Sequence, residues 1–237
     1  MCVNSQSENL NRLIRYLTIN NVNVINSGLY HGKIGIAICF CEYARYLKDE
    51  LYLDLAGELL DEVFDEINND TSFNFENGIC GIGWGVEYLI HQKFMAGDTD
   101  DILEAIDVQV MQTDISRITD YSIETGLGGI AAYVIARITA KDRTKDNLPF
   151  DLCYLENWMQ LLPIWQSKKN HQEPVSELFA KLLDTLHGLP YVHKEILEFP
   201  TFIPLGNLKE VDLSYLRLLP KGLEHGIAGM ALQIMRL

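Results

Sequence analysis

The sequence has no long hydrophobic run and no excess of positive charge. Its longest apolar stretch, residues 34–41, is far shorter than the roughly 18 residues that a membrane-spanning helix needs. Its 237 residues include 19 Lys and Arg against 33 Asp and Glu, a formal net charge of −14. Nucleic acid and anionic lipid both bind to patches of Lys and Arg. We therefore predict no membrane association and no nucleic-acid partner.

The sequence has no Cys-x-x-Cys pair, and the placement of its cysteines argues against a disulfide framework. The five cysteines are an odd number without a Cys-x-x-Cys pair, and Cys39 and Cys41 lie inside the apolar stretch. The first eight residues have neither a basic start nor an apolar core, so we expect no secretory signal peptide. These features predict a reduced, cytoplasmic protein. The apolar content of 48% predicts a globular chain. Its length allows one large domain or two small ones, and because no segment resembles an interdomain linker we predict a single domain over residues 1–237.

A short glycine pattern, Gly-x-x-Gly-[Ile/Met]-[Ala/Gly], occurs four times along the chain. Its first glycines are Gly32, Gly78, Gly126 and Gly226. They lie 46, 48 and 100 residues apart, and the last interval is close to two periods. A fixed period of this length is typical of stacked supersecondary units. We therefore expect one further, degenerate copy near residue 176.

Helices of two kinds alternate along these repeats. Each glycine motif opens a stretch that is apolar nearly all round, as in a helix buried on most sides. Between these stretches, a 3.6-residue apolar period with acidic residues opposite predicts amphipathic helices. Such helices are expected at residues 9–17, 51–67, 101–111 and 151–165. The alternation predicts an all-α fold, an α/α toroid of about five helical hairpins, with buried helices inside and amphipathic helices outside.

The two glycines of each motif have a steric use at the start of a buried helix, because they let backbones approach closely. A ring that remains open would expose apolar helices, and an oligomer is then expected. Residues 199–221 contain three prolines and are expected to form a long irregular connection.

The repeat places equivalent residues at the start of each buried helix, around one end of the ring. The residues before the first glycines are His31, Asn77, Thr125 and His225. One position earlier stand Tyr30, Glu76, Glu124 and Glu224. Asn and Thr are good helix caps and carboxylates are stabilised at helix N-termini, so capping is one interpretation. Histidine is not a favoured cap, which makes His31 and His225 the stronger functional candidates.

The same positions offer binding chemistry. Imidazole and carboxylate groups suit zinc, so His31 and His225, with Glu124 or Glu224, form a candidate metal site. The candidate substrate-binding residues at this end are Tyr30, His31, Glu76, Asn77, Trp84 and Thr125. Trp84 faces the ring axis by its phase in the repeat, where it could form the floor of a cavity, although a role in the core is the default interpretation. Cys80 lies inside a motif turn, where a packing role is expected.

Residues 77–89 and 222–231 resemble the LanC-like family, the lanthionine synthetase C or lantibiotic cyclase proteins. The resemblance implies an α/α toroid, a bacterial protein, a peptide partner and formation of lanthionine-type thioethers. In the family, zinc is held by a Cys of one repeat and by the Cys-His pair of a Cys-His-Gly motif in another. This sequence has no Cys-His-Gly, which implies a divergent or catalytically degenerate member. His225 matches the motif that carries the family's acid/base histidine, so the resemblance assigns that role to it.

Two alternatives from other classes fit the same positions. Rings of helical hairpins also host glycosidases, which use two carboxylates about 5–10 Å apart across a pocket. Glu76, Glu124 and Glu224 provide such carboxylates, so Glu124 and Glu224 join His225 as candidate catalytic residues. Tyr121 is a further aromatic residue for stacking on a sugar ring. A filled ring centre would instead indicate a non-catalytic binding module.

Overall fold

The computed structural model describes residues 2–68, 70–144, 146–167, 173–189, 191–205 and 213–236. Within these ranges there is no β-strand, and the isolated antiparallel bridge there joins Arg143 to Val192. The all-α class predicted from the repeat is confirmed. None of the helices described is long and apolar enough to cross a membrane.

Ten α-helices are described, and they follow the predicted order. They are α1 (Cys2–Asn20), α2 (Lys33–Leu47), α3 (Leu51–Glu66), α4 (Ile79–His91), α5 (Thr99–Ile102), α6 (Glu104–Met111), α7 (Leu127–Thr139), α8 (Leu152–Gln166), α9 (Glu173–His187) and α10 (Ile227–Met235). The helix expected at residues 101–111 is divided, because a turn at Leu103 separates α5 from α6.

The chain divides into two compact units. Unit 1 comprises residues 1–68 and 200–237 and holds α1, α2, α3 and α10. Unit 2 comprises residues 69–199 and holds α4 to α9. The single domain over the whole chain stays a prediction. The irregular connection expected at 199–221 lies partly outside the described residues, and its described part includes a 3₁₀ segment, Leu213–Leu218.

Unit 1 is built on the hairpin of α2 and α3. The chain reverses between them at Lys48, a C-cap in the left-handed conformation with φ 59°. Helix α2 buries 11 of its 15 residues, whereas α3 buries four of its 16. Helix α10 packs against both α1 and α2. The apolar all-round helices are therefore the interior ones, as the pattern predicts.

Unit 2 repeats this division between buried and exposed helices. All 13 residues of α7 are buried, and so are 11 of the 13 in α4, with which α7 packs. Helix α9 lies where the degenerate repeat is expected and packs on α7 and α8. Unlike the helices that directly follow a glycine motif, α9 carries no such motif and has an exposed face.

Candidate functional site

The four motif loops share one backbone geometry. In each loop, the N–H of the residue after the first motif glycine donates to the carbonyl six residues before that glycine. The bonds are Lys33 to Asn26 (2.9 Å), Ile79 to Ser72 (2.8 Å), Leu127 to Asp120 (3.0 Å) and Ile227 to Pro220 (2.9 Å). The repeats are therefore equivalent in structure as well as in sequence.

The first residue of each motif must be glycine because there is no room for a Cβ atom, and not because of its backbone angles. All four of these glycines have a negative φ, between −111° and −124°, which any residue can adopt. A Cβ atom at any of them would lie only 2.1–2.4 Å from a carbonyl oxygen of its own loop. The first glycines do meet backbone closely, but this backbone belongs to the motif's own loop and not to a neighbouring helix, as the close approach of helices around an axis would require.

Within unit 1, the last motif is clamped to the first by backbone hydrogen bonds. The N–H groups of Leu223 and Glu224 both donate to the carbonyl of Tyr30, at 2.6 and 3.1 Å. The Leu223 side chain lies over Gly35, where a Cβ would approach it to 2.8 Å. The second motif glycine thus makes room for a side chain of the other repeat. We call residues 26–32 and 220–226 together the motif end of unit 1.

Unit 2 contains the same clamp between its own two motifs. The N–H groups of Phe75 and Glu76 donate to the carbonyl of Glu124, at 2.9 and 3.0 Å. Phe75 lies over Gly129, where a Cβ would be 2.5 Å from its own Cβ. In both units, then, one repeat donates through the two residues that stand three and two positions before its first glycine. The acceptor is the carbonyl two positions before the first glycine of the other repeat.

The clamp in unit 1 brings an imidazole and a carboxylate together. His31 Nε2 lies 3.0 Å from Glu224 Oε2, and their side chains are 37% and 27% exposed. The edge of one ring meets the face of the other between His31 and the buried Tyr30. His225 is exposed and adopts φ 47°, a left-handed conformation. The residues at the three equivalent positions of the repeat do not adopt it. A positive φ is uncommon in a non-glycine residue, and at a position already singled out by the repeat it supports His225 as a functional candidate.

The equivalent residues of unit 2 are held within their own loops. Thr125 Oγ1 donates to Asp120 Oδ2 at 2.5 Å, and Ser122 Oγ donates to the same oxygen at 3.0 Å. Burial alone would raise the pKa of Asp120, but the hydrogen bonds from Thr125 and Ser122 outweigh it and lower that pKa. The Asn77 N–H donates to Asn74 Oδ1 at 3.0 Å. Glu76 and Glu124 have half-buried side chains.

The capping role expected for Asn77 and Thr125 is wrong. The N-cap residues of α4 and α7 are the motif glycines, Gly78 and Gly126, and neither helix has a side-chain cap. The reason is that the extended glycine already begins the helix, so the preceding residue stands one position outside it. The side chain at that position therefore does not cap the helix.

The aromatic candidates contribute to packing. Trp84 is 2% exposed and packs its ring against Phe75, Tyr88 and Phe199. Tyr121 makes an edge contact with Trp165, with ring centroids 6.4 Å apart. The core interpretation of Trp84 therefore agrees with its burial, while its substrate-binding role stays a prediction.

Three of the described thiols do not fit a zinc centre. Cys39, Cys41 and Cys80 are buried, and burial raises the pKa of all three, that of Cys41 to about 12. Zinc takes a cysteine as thiolate, and these environments oppose ionisation. Cys153 is exposed, and the side chain of Cys2 lies outside the described residues. Cys80 has the packing role expected of it.

Sequence reasoning missed a buried charge network in unit 2. Arg137 of α7 is fully buried and donates to Glu87 Oε2 at 2.8 Å and to Asp107 Oδ2 at 2.6 Å. Tyr133 donates to Asp107 Oδ1 at 2.6 Å. Burial raises the pKa of Glu87 and Asp107, although Arg137 opposes the rise. The signal in the sequence was one charged residue in each of two otherwise apolar helices, α4 and α7.

Comparison with known proteins identifies the family. No curated protein and no solved structure matches the chain. The family model described as lanthionine synthetase C-like protein matches residues 23–174, which is more than half of the chain. The match includes three of the four glycine motifs, and the all-helical hairpin structure agrees with the predicted α/α toroid class. The chain therefore belongs to the lanthionine synthetase C-like family.

Proposed function

We propose that this protein binds a peptide at the motif end of unit 1, and that it does so without a zinc–thiolate centre. The observation that carries the proposal is the clamp between the first and last motifs. It brings His31 and Glu224 within 3.0 Å of each other and sets them beside the strained, exposed His225. Membership of the LanC-like family supports a peptide as the ligand.

The chemistry of this end suits proton exchange with a peptide side chain. When the Glu224 carboxylate accepts the His31 Nε2–H, it holds that ring in one tautomer and leaves Nδ1 as the basic nitrogen. His225 keeps the acid/base role that the family resemblance assigns to it, and its exposure supports access by a ligand. Zinc bound by His31 and His225 stays a proposal for the same atoms.

The burial of the thiols favours a catalytically degenerate relative over an active cyclase. Three thiols lie within helices α2 and α4 and oppose ionisation, so they offer no ligands of the family's kind. The carbohydrate-active alternative is not favoured by the family match. Binding and modification of the peptide must therefore be measured separately.

Binding is tested by fluorescence anisotropy with labelled peptides rich in Ser, Thr and Cys. Wild type is compared with His31→Ala, His225→Ala and Glu224→Gln, and with His193→Ala as the control. His193 is a matched control because it also pairs with a carboxylate, that of Asp142 at 3.6 Å, but is 97% exposed in unit 2. We expect each motif-end variant to bind at least about tenfold more weakly, a loss of roughly 1.4 kcal/mol. The control should bind as wild type does.

Two results would contradict the proposal. One is the absence of peptide binding by wild type, and the other is equal binding by all variants. Mass spectrometry of the peptides after incubation reports modification separately from binding. Zinc content measured on the same samples shows whether either histidine holds a metal.

A further inference from the structure

Residues 191–199 form an irregular segment of unit 2, without helix or strand, which we call the strap. At its start, Arg143 and Val192 exchange two backbone hydrogen bonds, of 2.8 and 3.2 Å. The Lys194 N–H then donates to Asp142 Oδ1, and the Glu195 N–H donates to the carbonyl of Thr139, both at 2.9 Å. Since Thr139 is the last residue of α7, the strap lies across the C-terminal end of that helix.

The strap is also held by the C-terminal end of α4. His91 Nε2 lies 3.0 Å from the Glu195 carbonyl oxygen, and Gln92 Nε2 donates to the Leu197 carbonyl at 3.0 Å. At the far end of the strap, the Phe199 ring packs edge-on against Trp84 and Tyr88. The strap therefore joins α4 to α7, and His91 is the basic side chain among its described contacts with α4.

The geometry settles which nitrogen of His91 carries the proton. A carbonyl oxygen can only accept, so the bond to Glu195 requires a hydrogen on Nε2. The neutral ring then has its lone pair on Nδ1. That atom is buried and has no hydrogen-bond partner among the described residues. A second proton would create a buried N–H without an acceptor, which is unfavourable.

The charged groups around His91 do not stabilise a second proton on its ring. Lys194 of the strap and burial together lower the pKa of His91, with burial the larger cause. The Glu195 carboxylate is paired with Lys181 of α9 at 2.8 Å. On α4 itself, Glu87 lies one turn earlier and is paired with Arg137 of α7. The neighbouring carboxylates are thus already paired with other cations.

We propose that His91 is a pH-sensitive latch, which holds the strap closed at neutral pH and releases it in mild acid. In the closed strap, a proton on Nδ1 has no acceptor, whereas in a released strap it is hydrated. The closed state therefore binds fewer protons than the released state below the ordinary His pKa of 6.5. Closure is fully favoured above that pH and weakens as the pH falls below it.

Hydrogen exchange of the intact protein at about pH 7.5 and about pH 5.5 tests the latch. The reporters are the Glu195 and Arg143 amides, whose hydrogen bonds join the strap to the region around the end of α7. The internal control is the amide of Ala140, the C-cap of α7, which donates to the carbonyl of Ala136 in that helix. After correction for intrinsic rates, we expect the reporters to lose up to about tenfold in protection at the lower pH. The Ala140 amide should keep its protection.

Two variants separate the latch from general acid sensitivity. His91→Gln keeps an N–H donor for the Glu195 carbonyl but does not titrate, so its reporter protection should not change with pH. His193→Gln removes the exposed strap histidine and should behave as wild type does. The proposal is overturned if the protection of the reporter amides in wild type does not change with pH. It is also overturned if that protection falls equally in His91→Gln.

A measurement on wild type alone covers the case in which His91→Gln does not fold. Imidazole ¹⁵N shifts in a pH titration report both the tautomer and the pKa of His91. A neutral ring with hydrogen on Nε2 and a pKa below 6.5 supports the latch. Hydrogen on Nδ1, or a pKa at or above that value, overturns it.

Discussion

The two units carry the same clamp but differ in the side chains that surround it. In unit 1 the acceptor repeat supplies His31 and the donor repeat supplies Glu224, and the two side chains pair. In unit 2 the equivalent residues are Thr125 and Glu76. There, Thr125 donates a hydrogen bond to Asp120 of its own loop. Because only backbone atoms form the clamp, the residues just before each glycine vary without loss of the scaffold. The backbone of the repeat thus fixes where these side chains lie, and the residue types decide which functional groups stand there.

The units also differ in how they bury charge. In unit 2, the Arg137 side chain has no exposed surface and its partners Glu87 and Asp107 are 2% and 5% exposed. In unit 1, Lys33 is 7% exposed, but its partners Glu62 and Glu66 are about half exposed, at 52% and 45%. A buried pair leaves an uncompensated charge when broken, whereas water replaces an exposed partner. The same class of interaction therefore has different consequences in the two units.

Removal of Arg137 should have the largest effect on stability. Arg137→Met leaves Glu87 and Asp107 buried without their cation, and we expect a loss of roughly 3–5 kcal/mol in the free energy of unfolding. Arg117→Met is the control, because Arg117 is 86% exposed and its pair with Asp114 is local. Urea unfolding followed by tryptophan fluorescence measures both, since all three tryptophans lie in unit 2. Equal stability of the two variants would contradict the role given to the network.

A methyl group at a motif glycine should have a smaller effect. In Gly126→Ala the added Cβ meets the Asp120 carbonyl oxygen at 2.4 Å, so the loop must shift, at a cost of about 1–3 kcal/mol. The matched change Gly57→Ala, within α3, meets no atom within 4 Å and should stabilise by about 0.5–1 kcal/mol. Chemical denaturation measures both variants, by tryptophan fluorescence, which reports on unit 2, and by circular dichroism, which reports on the helices of both units. If Gly126→Ala is tolerated, the shared loop geometry is not required.

The smallest effect is expected for Glu66→Gln in unit 1. Hydrogen bonds from Lys33 and Ser27 lower the pKa of Glu66 below its ordinary 4.5. The carboxylate therefore stabilises unit 1 above that pH, and the contribution is lost as the pH falls through the lowered pKa. Because Glu66 is nearly half exposed, we expect the variant to lose no more than about 1 kcal/mol at neutral pH. Its stability, followed by circular dichroism, should depend less on pH below 4.5 than that of wild type.

Much of the fold follows from the sequence, because helix type and repeat phase are local properties. The glycine spacing and the apolar periods predict the buried helices and the amphipathic helices between them. The degenerate repeat is visible only through its phase, yet α9 lies there. The division of one predicted helix at Leu103 was not foreseen, since it depends on a single turn.

The side-chain partners could not be predicted in the same way. Pairing of Arg137 with Asp107 depends on the register of α7 against α6, which no local pattern encodes. The strap is an irregular segment, and its contact with His91 joins residues about a hundred positions apart. The phase of the repeat did indicate that His31 and Glu224 belong to equivalent helix ends. Their direct pairing follows only from the clamp.

Because unit 2 contains the same clamp, residues of the unit 1 pair could be introduced there at equivalent positions. Thr125 occupies the place of His31, and Glu76 occupies the place of Glu224, on an identical backbone pattern of donors and acceptor. A single change, Thr125→His, would therefore place a second imidazole at the position that His31 holds in unit 1, on a repeat joined through the same backbone bonds. Duplicated scaffolds of this kind can gain a new reactive group in one step, because the geometry that a reactive pair needs is inherited with the backbone.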